Sequence, residues 1–181
     1  MISYRQPKNL AEVRAFVDIV EKNIDGGPSG GDIIPRCCKK GTILAVEDGT
    51  VVGGIAFMTH DLYEEIWGFQ EDELGRAADS VAPDDLGYIS YIAVADTHQG
   101  LGIGAELLKR ASVRLEKAPC GALWVHVWSG SPGNASYRLF SRFGFEQVKR
   151  TKKPWVKTEH VKCVVCGEHC QCDCITMLKV L

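Results

Sequence analysis

The residues of this chain best suited to chemistry are Gln99-Gly100-Leu101-Gly102-Ile103-Gly104. They sit between an apolar run, Tyr88 to Val94, and a helix opening with Ala105-Glu106-Leu107-Leu108. Glycines in a strand–turn–helix connection let the backbone come close to a ligand. The first N–H groups of the helix have no partner inside it, and the helix dipole adds partial positive charge there. Phosphate suits such a place, so the turn is expected to hold a phosphorylated cofactor. A dinucleotide fingerprint would also want an acid about twenty residues on, at the end of the next strand. The next strand candidate, Ala122 to Trp128, carries no acid at its end and leads instead to Asn134 and an aromatic helix.

A second group of residues implies a metal. Of eight cysteines, five lie within twelve residues: Cys163, Cys166, Cys170, Cys172 and Cys174. Such clustering argues against a long-range disulfide framework and for a bound ion. Cys163-Val164-Val165-Cys166-Gly167 has the form of a zinc knuckle, and Cys170-Gln171-Cys172 supplies a second pair. Four thiolates satisfy tetrahedral zinc, and a closed thiolate shell makes the ion structural rather than catalytic. The expected ligands are Cys163, Cys166, Cys170 and Cys172, with Cys174 or His169 as alternatives for one of them. The spacing is tight for an iron–sulfur cluster. Cys37, Cys38 and Cys120 stand apart and read as buried thiols.

The elements that must position these groups follow from periodicity. Leu10, Val13, Phe16, Val17 and Val20 recur at helical spacing, so residues 9–24 form an amphipathic helix, broken by Asp25 to Gly31. Thr42 to Val46, Asp48-Gly49 and Thr50 to Met58 spell a hairpin. Residues 61–86 interrupt the sheet pattern with nine acids against one base, Arg76. Then come the strand ending at Val94, the glycine turn, and a helix to Lys117. A strand from Leu123 to Trp128 and a helix from Ser136 to Phe143 follow. Trp124, His126 and Trp128 share one strand face. The last hairpin runs from Gln147 to Val161 and from Ile175 to Val180, with the cysteines at its tip. This is an α+β pattern, a mixed and mostly antiparallel sheet flanked by helices. Residues 1–181 read as one domain with 163–174 a metal-binding loop inside it.

Gln99-x-x-Gly102-x-Gly104 after a strand resembles the acyl-CoA signature of the GNAT superfamily, the Gcn5-related N-acetyltransferases. Asn134-Ala135-Ser136-Tyr137-Arg138-Leu139-Phe140-Ser141-Arg142-Phe143-Gly144-Phe145 resembles that family's second motif, an Asn-led helix ending in Gly-Phe. The match runs from Gly41 to Phe145, and the strand Ile175 to Leu181 fits it. The resemblance implies the GNAT fold and acetyl-CoA as cosubstrate. The pyrophosphate would lie on Gln99 to Gly104, and the pantetheine arm beside Ile92, Ala93 and Val94. The Val94 N–H would face the thioester carbonyl, and Asn134 and Phe140 would lie along the cofactor. Asn134 would equally serve as a helix N-cap.

Two departures from the family pattern concern proton transfer. Where many members carry a general-acid tyrosine, four residues before the Gly of Gly-Phe, this chain has Phe140. Where many carry a base glutamate at the start of the strand, it has Tyr88. Candidate replacements are Tyr137, one helical turn before Phe140, and His126; Tyr91 and the Asp84/Asp85 pair are further options. The expected function is acetyl transfer from acetyl-CoA to a primary amine by direct attack, with a structural zinc. The alternative is a non-catalytic acyl-CoA sensor, or a zinc-hairpin interaction module on the same scaffold.

Bulk properties set the partners. A formal net charge of −2 in 181 residues gives no basis for nonspecific nucleic-acid binding. No apolar run reaches spanning length and the N-terminus lacks a signal-peptide pattern, so cytoplasm is the default and no membrane partner is expected. The acceptor would be a small-molecule or peptide amine, cationic if the acids of 61–86 face it. The reading leaves room for a homodimer.

Overall fold

Asn9 starts the first helix: its side-chain oxygen accepts the Glu12 amide at 3.0 Å and caps α1 (Leu10–Asn23). Val13, Phe16, Val17 and Val20 form its buried stripe, as their spacing predicts. The computed structural model describes residues 1–24, 41–59, 81–82, 85–118, 120–154, 163–167 and 169–181. The break at 25–31, Cys37, Cys38, residues 61–80 of the acidic stretch, Asp84 and residues 155–162 of the last hairpin lie outside those. Among the described residues, no helix is long and apolar enough to cross a membrane.

Among the described residues, the other strands and α-helices are β1 (Ile2–Arg5), β2 (Thr42–Glu47), β3 (Thr50–Thr59), β4 (Leu86–Val94), α2 (Ile103–Leu115), β5 (Ala122–Trp128), α3 (Ala135–Arg142), β6 (Glu146–Thr151) and β7 (Cys174–Val180). The strands form one sheet in the order β1-β2-β3-β4-β5-β7-β6. Only β4 and β5 run parallel; every other neighbouring pair is antiparallel. The expected mixed sheet flanked by helices is therefore observed. Asp48 and Gly49, with φ of 48° and 82°, close the β2–β3 hairpin in the left-handed conformation that such a two-residue turn needs. Strand β1 adds an edge to the sheet beyond the elements that periodicity predicts; Ile2-Ser3-Tyr4-Arg5 alternates in the manner of a short edge strand. It is joined to α1 by Arg5, which donates to both oxygens of Glu12 at 2.7 Å.

Alternation along the strands divides the core between the two sheet faces. Ile43, Ile55, Ile89, Leu123, Val125 and Met177 face α2 and α3, where Leu107, Leu108, Ala111 and Phe140 complete one cluster. On the opposite face α1 lays Val13, Phe16, Val17 and Val20 over Leu44, Val46, Ala56 and Ala93. Beside it Tyr88, Trp124, Met58 and Leu178 form a third cluster. Phe16 lies directly over Gly54, where a Cβ would stand 2.8 Å from its ring. That close approach sets the distance of α1 from β3. Phe16→Ala is expected to destabilise the fold by about 3–5 kcal/mol, read as a lowered midpoint in urea unfolding with an unchanged m value.

Candidate functional site

Strands β4 and β5 pair only from Leu86↔Ala122 to Ile89↔Val125. Past that point β4 continues on β3 alone, and β5 continues on β7 to Trp128↔Cys174. The sheet therefore opens between two parallel strands. The parting coincides with a bulge. Ala56 pairs with Tyr91 and Phe57 with Ile89, so Ser90 is the extra residue, and its hydroxyl donates to the Ala56 carbonyl at 3.1 Å. The bulge inverts the alternation, placing both Ile89 and Ile92 on the α2 side.

The direction of the β4 amides follows from one hydrogen bond. The Ala95 N–H donates to the Val52 carbonyl at 2.9 Å. Alternation then turns the Ala93 and Ala95 amides toward β3, and those of Ile92 and Val94 into the opening. The Val94 carbonyl agrees, because it accepts Gln99 Nε2 from that side at 3.1 Å. Of the three expected cofactor-facing residues on β4, Ile92 and Val94 thus offer donors, whereas Ala93 directs its amide to the neighbouring strand.

At the end of the opening the chain makes a 3₁₀ turn, Asp96–His98, and then the glycine turn. Gly100 and Gly102 have φ of +78° and +80°, which L side chains rarely adopt, and a Cβ at either would meet nothing within 4 Å. Gly102 begins α2 without any side-chain cap, leaving the amides of the first turn directed outward. Buried Ile103 anchors that turn, while Leu101 is exposed. Gly104 approaches Leu139 of α3, a would-be Cβ lying 3.7 Å from its Cδ2. The turn is tied at its base. Gln99 Nε2 also reaches Asn23 Oδ1 at 3.3 Å and Asp96 Oδ1 at 3.4 Å, and Lys22 pairs with Asp96 at 2.8 Å. Gln99 holds the loop to α1 and β4, and Lys22 and Asn23 join the site without having been singled out in the sequence.

Asn134 is exposed at the start of α3 with φ of 54°, and its side chain does not cap the helix. That duty falls to Ser131, whose Oγ accepts the Ser136 amide at 3.3 Å and the Ser136 hydroxyl at 3.1 Å. Tyr137 packs, half-buried, against the α2–α3 cluster. Phe140 is 1% exposed and meets Phe145 edge-on at 5.2 Å between ring centres, so it is a core residue. His126 stands on the opposite sheet face, as its period with Trp124 predicts, with its ring 4.9 Å from that of Trp124 and 5.9 Å from that of Tyr88. Burial, then the nearby Lys149 charge, push its pKa down to about 4. At neutral pH it is an uncharged imidazole and a weak base, far from the value suited to general-base work.

The four cysteines expected as ligands come together. The Sγ atoms of Cys163, Cys166, Cys170 and Cys172 all lie within 4.8 Å of one another. Two of the separations are 4.0 Å (Cys163 to Cys172) and 3.4 Å (Cys166 to Cys172). Tetrahedral zinc with Zn–S bonds near 2.3 Å requires sulfurs about 3.8 Å apart. The knuckle is formed: Cys163 and Gly167 exchange backbone hydrogen bonds of 3.0 and 2.9 Å, Gly167 has φ of +77°, and the Cys166 amide donates to Cys163 Sγ at 3.4 Å. Burial raises the Cys170 thiol and pushes the Cys172 thiol up to about 12, while the Gln171 backbone amide pulls Cys166 down. Four sulfurs so close cannot all carry charge without a cation among them, and the donor set suits one. Cys174 lies in β7, paired with Trp128 and Thr151, and His169 is exposed; neither belongs to the group of four.

Residues 24–145 match the family model described as the acetyltransferase (GNAT) family. No curated protein matches the chain in sequence. Among solved structures, the chain is similar to a GNAT family acetyltransferase from Elizabethkingia anophelis with acetyl-CoA bound, at 19% identity over 100% of this chain and 97% of that one, TM-score 0.66. It is also similar to Arabidopsis thaliana NAA60 in complex with a bisubstrate analogue, at 17% identity over 99% and 98%, TM-score 0.69. A third likeness is to the ribosomal-protein-S18-alanine N-acetyltransferase of Escherichia coli, at 16% identity over 99% and 94%, TM-score 0.65.

His126 yields a prediction on acid stability. Its folded pKa of about 4 lies below the ordinary value of 6.5, so the unfolded chain takes up the proton first as pH falls. Its contribution is constant above about pH 6.5 and declines between there and pH 4, by up to about 1.4 kcal/mol per pH unit. Urea unfolding of His126→Gln against the parent protein across pH 4–7 should show a shallower decline in the variant.

Proposed function

The chain belongs to the GNAT acetyltransferase family, and from that premise we propose that it transfers the acetyl group of acetyl-CoA to a primary amine by direct attack. The observation that carries this reading is the pair of amides, Ile92 and Val94, aimed into an opening that ends on a glycine turn. The amides of Gly100 to Ala105 would receive the pyrophosphate, and the edge of β4 the pantetheine arm in the manner of an added strand. Attack by the amine nitrogen forms the C–N bond and breaks the C–S bond. The Val94 N–H would stabilise charge developing on the carbonyl oxygen, a kind of contribution worth about 3–4 kcal/mol per donor. Because these contacts are backbone, they tolerate side-chain change everywhere except at the glycines.

Proton transfer is assigned sparingly. With Phe140 in the core and His126 weakly basic, the amine proton would pass to water, and Tyr137 is the first side-chain candidate for protonating the departing thiolate, with Tyr91 and Asp85 as further options. The acids of 61–86 favour a cationic acceptor by attraction. Cys163, Cys166, Cys170 and Cys172 would hold a structural zinc with no open position for water. A second reading, a non-catalytic acyl-CoA-binding module, draws its support from Phe140 and Tyr88 at the two positions where proton-transfer groups are usual.

Calorimetric titration with acetyl-CoA, followed by thiol release with a panel of polyamines, lysine derivatives and peptides with a free N-terminus, separates the readings. Binding with turnover supports the enzyme; binding without turnover across the panel supports the module; no binding refutes the donor site. Gly102→Glu places a carboxylate and a strained backbone at the phosphate position, and should weaken CoA binding by about a hundredfold or more; unchanged affinity would refute the placement. Cys166→Ser should lose bound zinc by elemental analysis, whereas one full equivalent in that variant would exclude Cys166 as a ligand.

A further inference from the structure

The cysteine group is not a remote ornament of the last hairpin. It lies at the C-terminal end of β5, the same end at which β4 and β5 part. Trp128 packs on the cluster of Cys163, Cys170 and Cys172, with its indole Nε1 close to the Cys172 sulfur. Gly130 fits against both: a Cβ there would stand 2.5 Å from the Trp128 ring and 2.6 Å from Cys172 Sγ. The next residue of the cysteine loop, Asp173, donates its amide to Ser129 Oγ at 2.8 Å, and its carbonyl accepts the Ser129 N–H at 3.0 Å. Its carboxylate takes Arg150 Nε at 2.8 Å and the Lys153 amide at 3.3 Å, fixing the loop to the end of β6.

The same short turn starts α3. The Ser131 N–H donates to the Trp128 carbonyl at 3.3 Å, and the Ser131 carbonyl accepts the Asn134 amide at 2.8 Å. The Ser131 hydroxyl caps the helix. A continuous chain of contacts thus runs from the cysteines through Trp128, Gly130 and Ser131 to the helix that starts after Asn134 and rests Leu139 beside Gly104.

We propose that the four-cysteine metal centre is a positioning device for the acyl-donor site, with Trp128 and Gly130 as the residues that transmit its geometry to α3. This rests on the donor site and zinc assignments above. With the ion bound, the four sulfurs are drawn to one geometry, which seats Trp128 and fixes the 129–131 turn. Without it, the four sulfurs lose that common geometry, the packing of Trp128 and Gly130 against them loosens, and the start of α3 shifts relative to the glycine turn. Trp128 and Gly130 are positioning residues; neither need touch the substrate.

The test measures CoA affinity by calorimetry alongside zinc content, with no turnover required. Chelation of zinc from the wild-type protein should weaken CoA binding by about tenfold, and added zinc should restore it. Trp128→Phe keeps an aromatic ring and all four cysteines but removes the indole N–H and the part of the ring that packs on Gly130 and Cys172; it should retain one zinc and still bind CoA several-fold more weakly. Val165→Ala, at the exposed tip of the knuckle, should change neither quantity. CoA affinity that is the same with and without zinc, in protein whose circular dichroism is unchanged, would overturn the proposal while leaving the donor site intact. Wild-type protein that binds zinc but no CoA, or CoA but no zinc, would overturn it together with the corresponding assignment.

Discussion

Where the parallel pairing of β4 and β5 ends, no other described strand takes the edge of β4 that the Ile92 and Val94 amides face, and the site grows from that parting. An amide that a ligand buries without giving it an acceptor costs about 1–3 kcal/mol, so whatever fills the opening between β4 and β5 is selected for acceptors along its length. The bulge at Ser90 produces that opening by twisting β4 away from β5 just where their pairing ends at Ile89↔Val125. The Ile92 and Val94 amides face the vacated edge, and the glycine turn continues the same row of donors into the first turn of α2. An extended, phosphorylated ligand offers what this edge lacks: acceptors along its length and negative charge at the end.

The surrounding structure keeps the edge from closing on itself. α2 and α3 load one sheet face and α1 the other, so β4 is fixed from both sides through Ile89, Ile92 and Ala93. Gln99 and Lys22 bind the glycine turn to α1, which makes the far helix part of the site's frame. On the β5 side the cysteine loop has the corresponding task. Its ties to Ser129 and Trp128 hold the turn from which α3 departs. Both walls are therefore fastened by elements distant in sequence, and the groups that the opening presents from β4 and the glycine turn are nearly all backbone.

This division explains what the sequence disclosed. The glycine turn, the helix stripes, the β2–β3 hairpin and the cysteine knuckle depend on local spacing, and each was legible to within a residue or two at its ends. The direction of an amide was not: it hangs on the Ser90 bulge, and Tyr-Ile-Ser-Tyr-Ile reads as an unbroken strand. Asn134 is a good capping residue by type, yet Ser131, three residues earlier, has the position to do it. Ala93 lies in the right stretch of β4 with its amide on the wrong side. Phe140 stands at a family position for chemistry but is core by packing. Trp128 and Gly130 carried no signal of their own, since their meaning depends on Cys172, more than forty residues away.

Amide chemical shifts test the central claim most directly, because it concerns particular N–H groups rather than side chains. In a ¹⁵N-labelled sample titrated with CoA, the largest changes should fall on Ile92, Val94 and the glycine turn from Gly100 to Ala105, with the Ala93 amide moving less than its two neighbours. Shifts centred elsewhere, or β4 amides that stay still while CoA binds, would contradict the account.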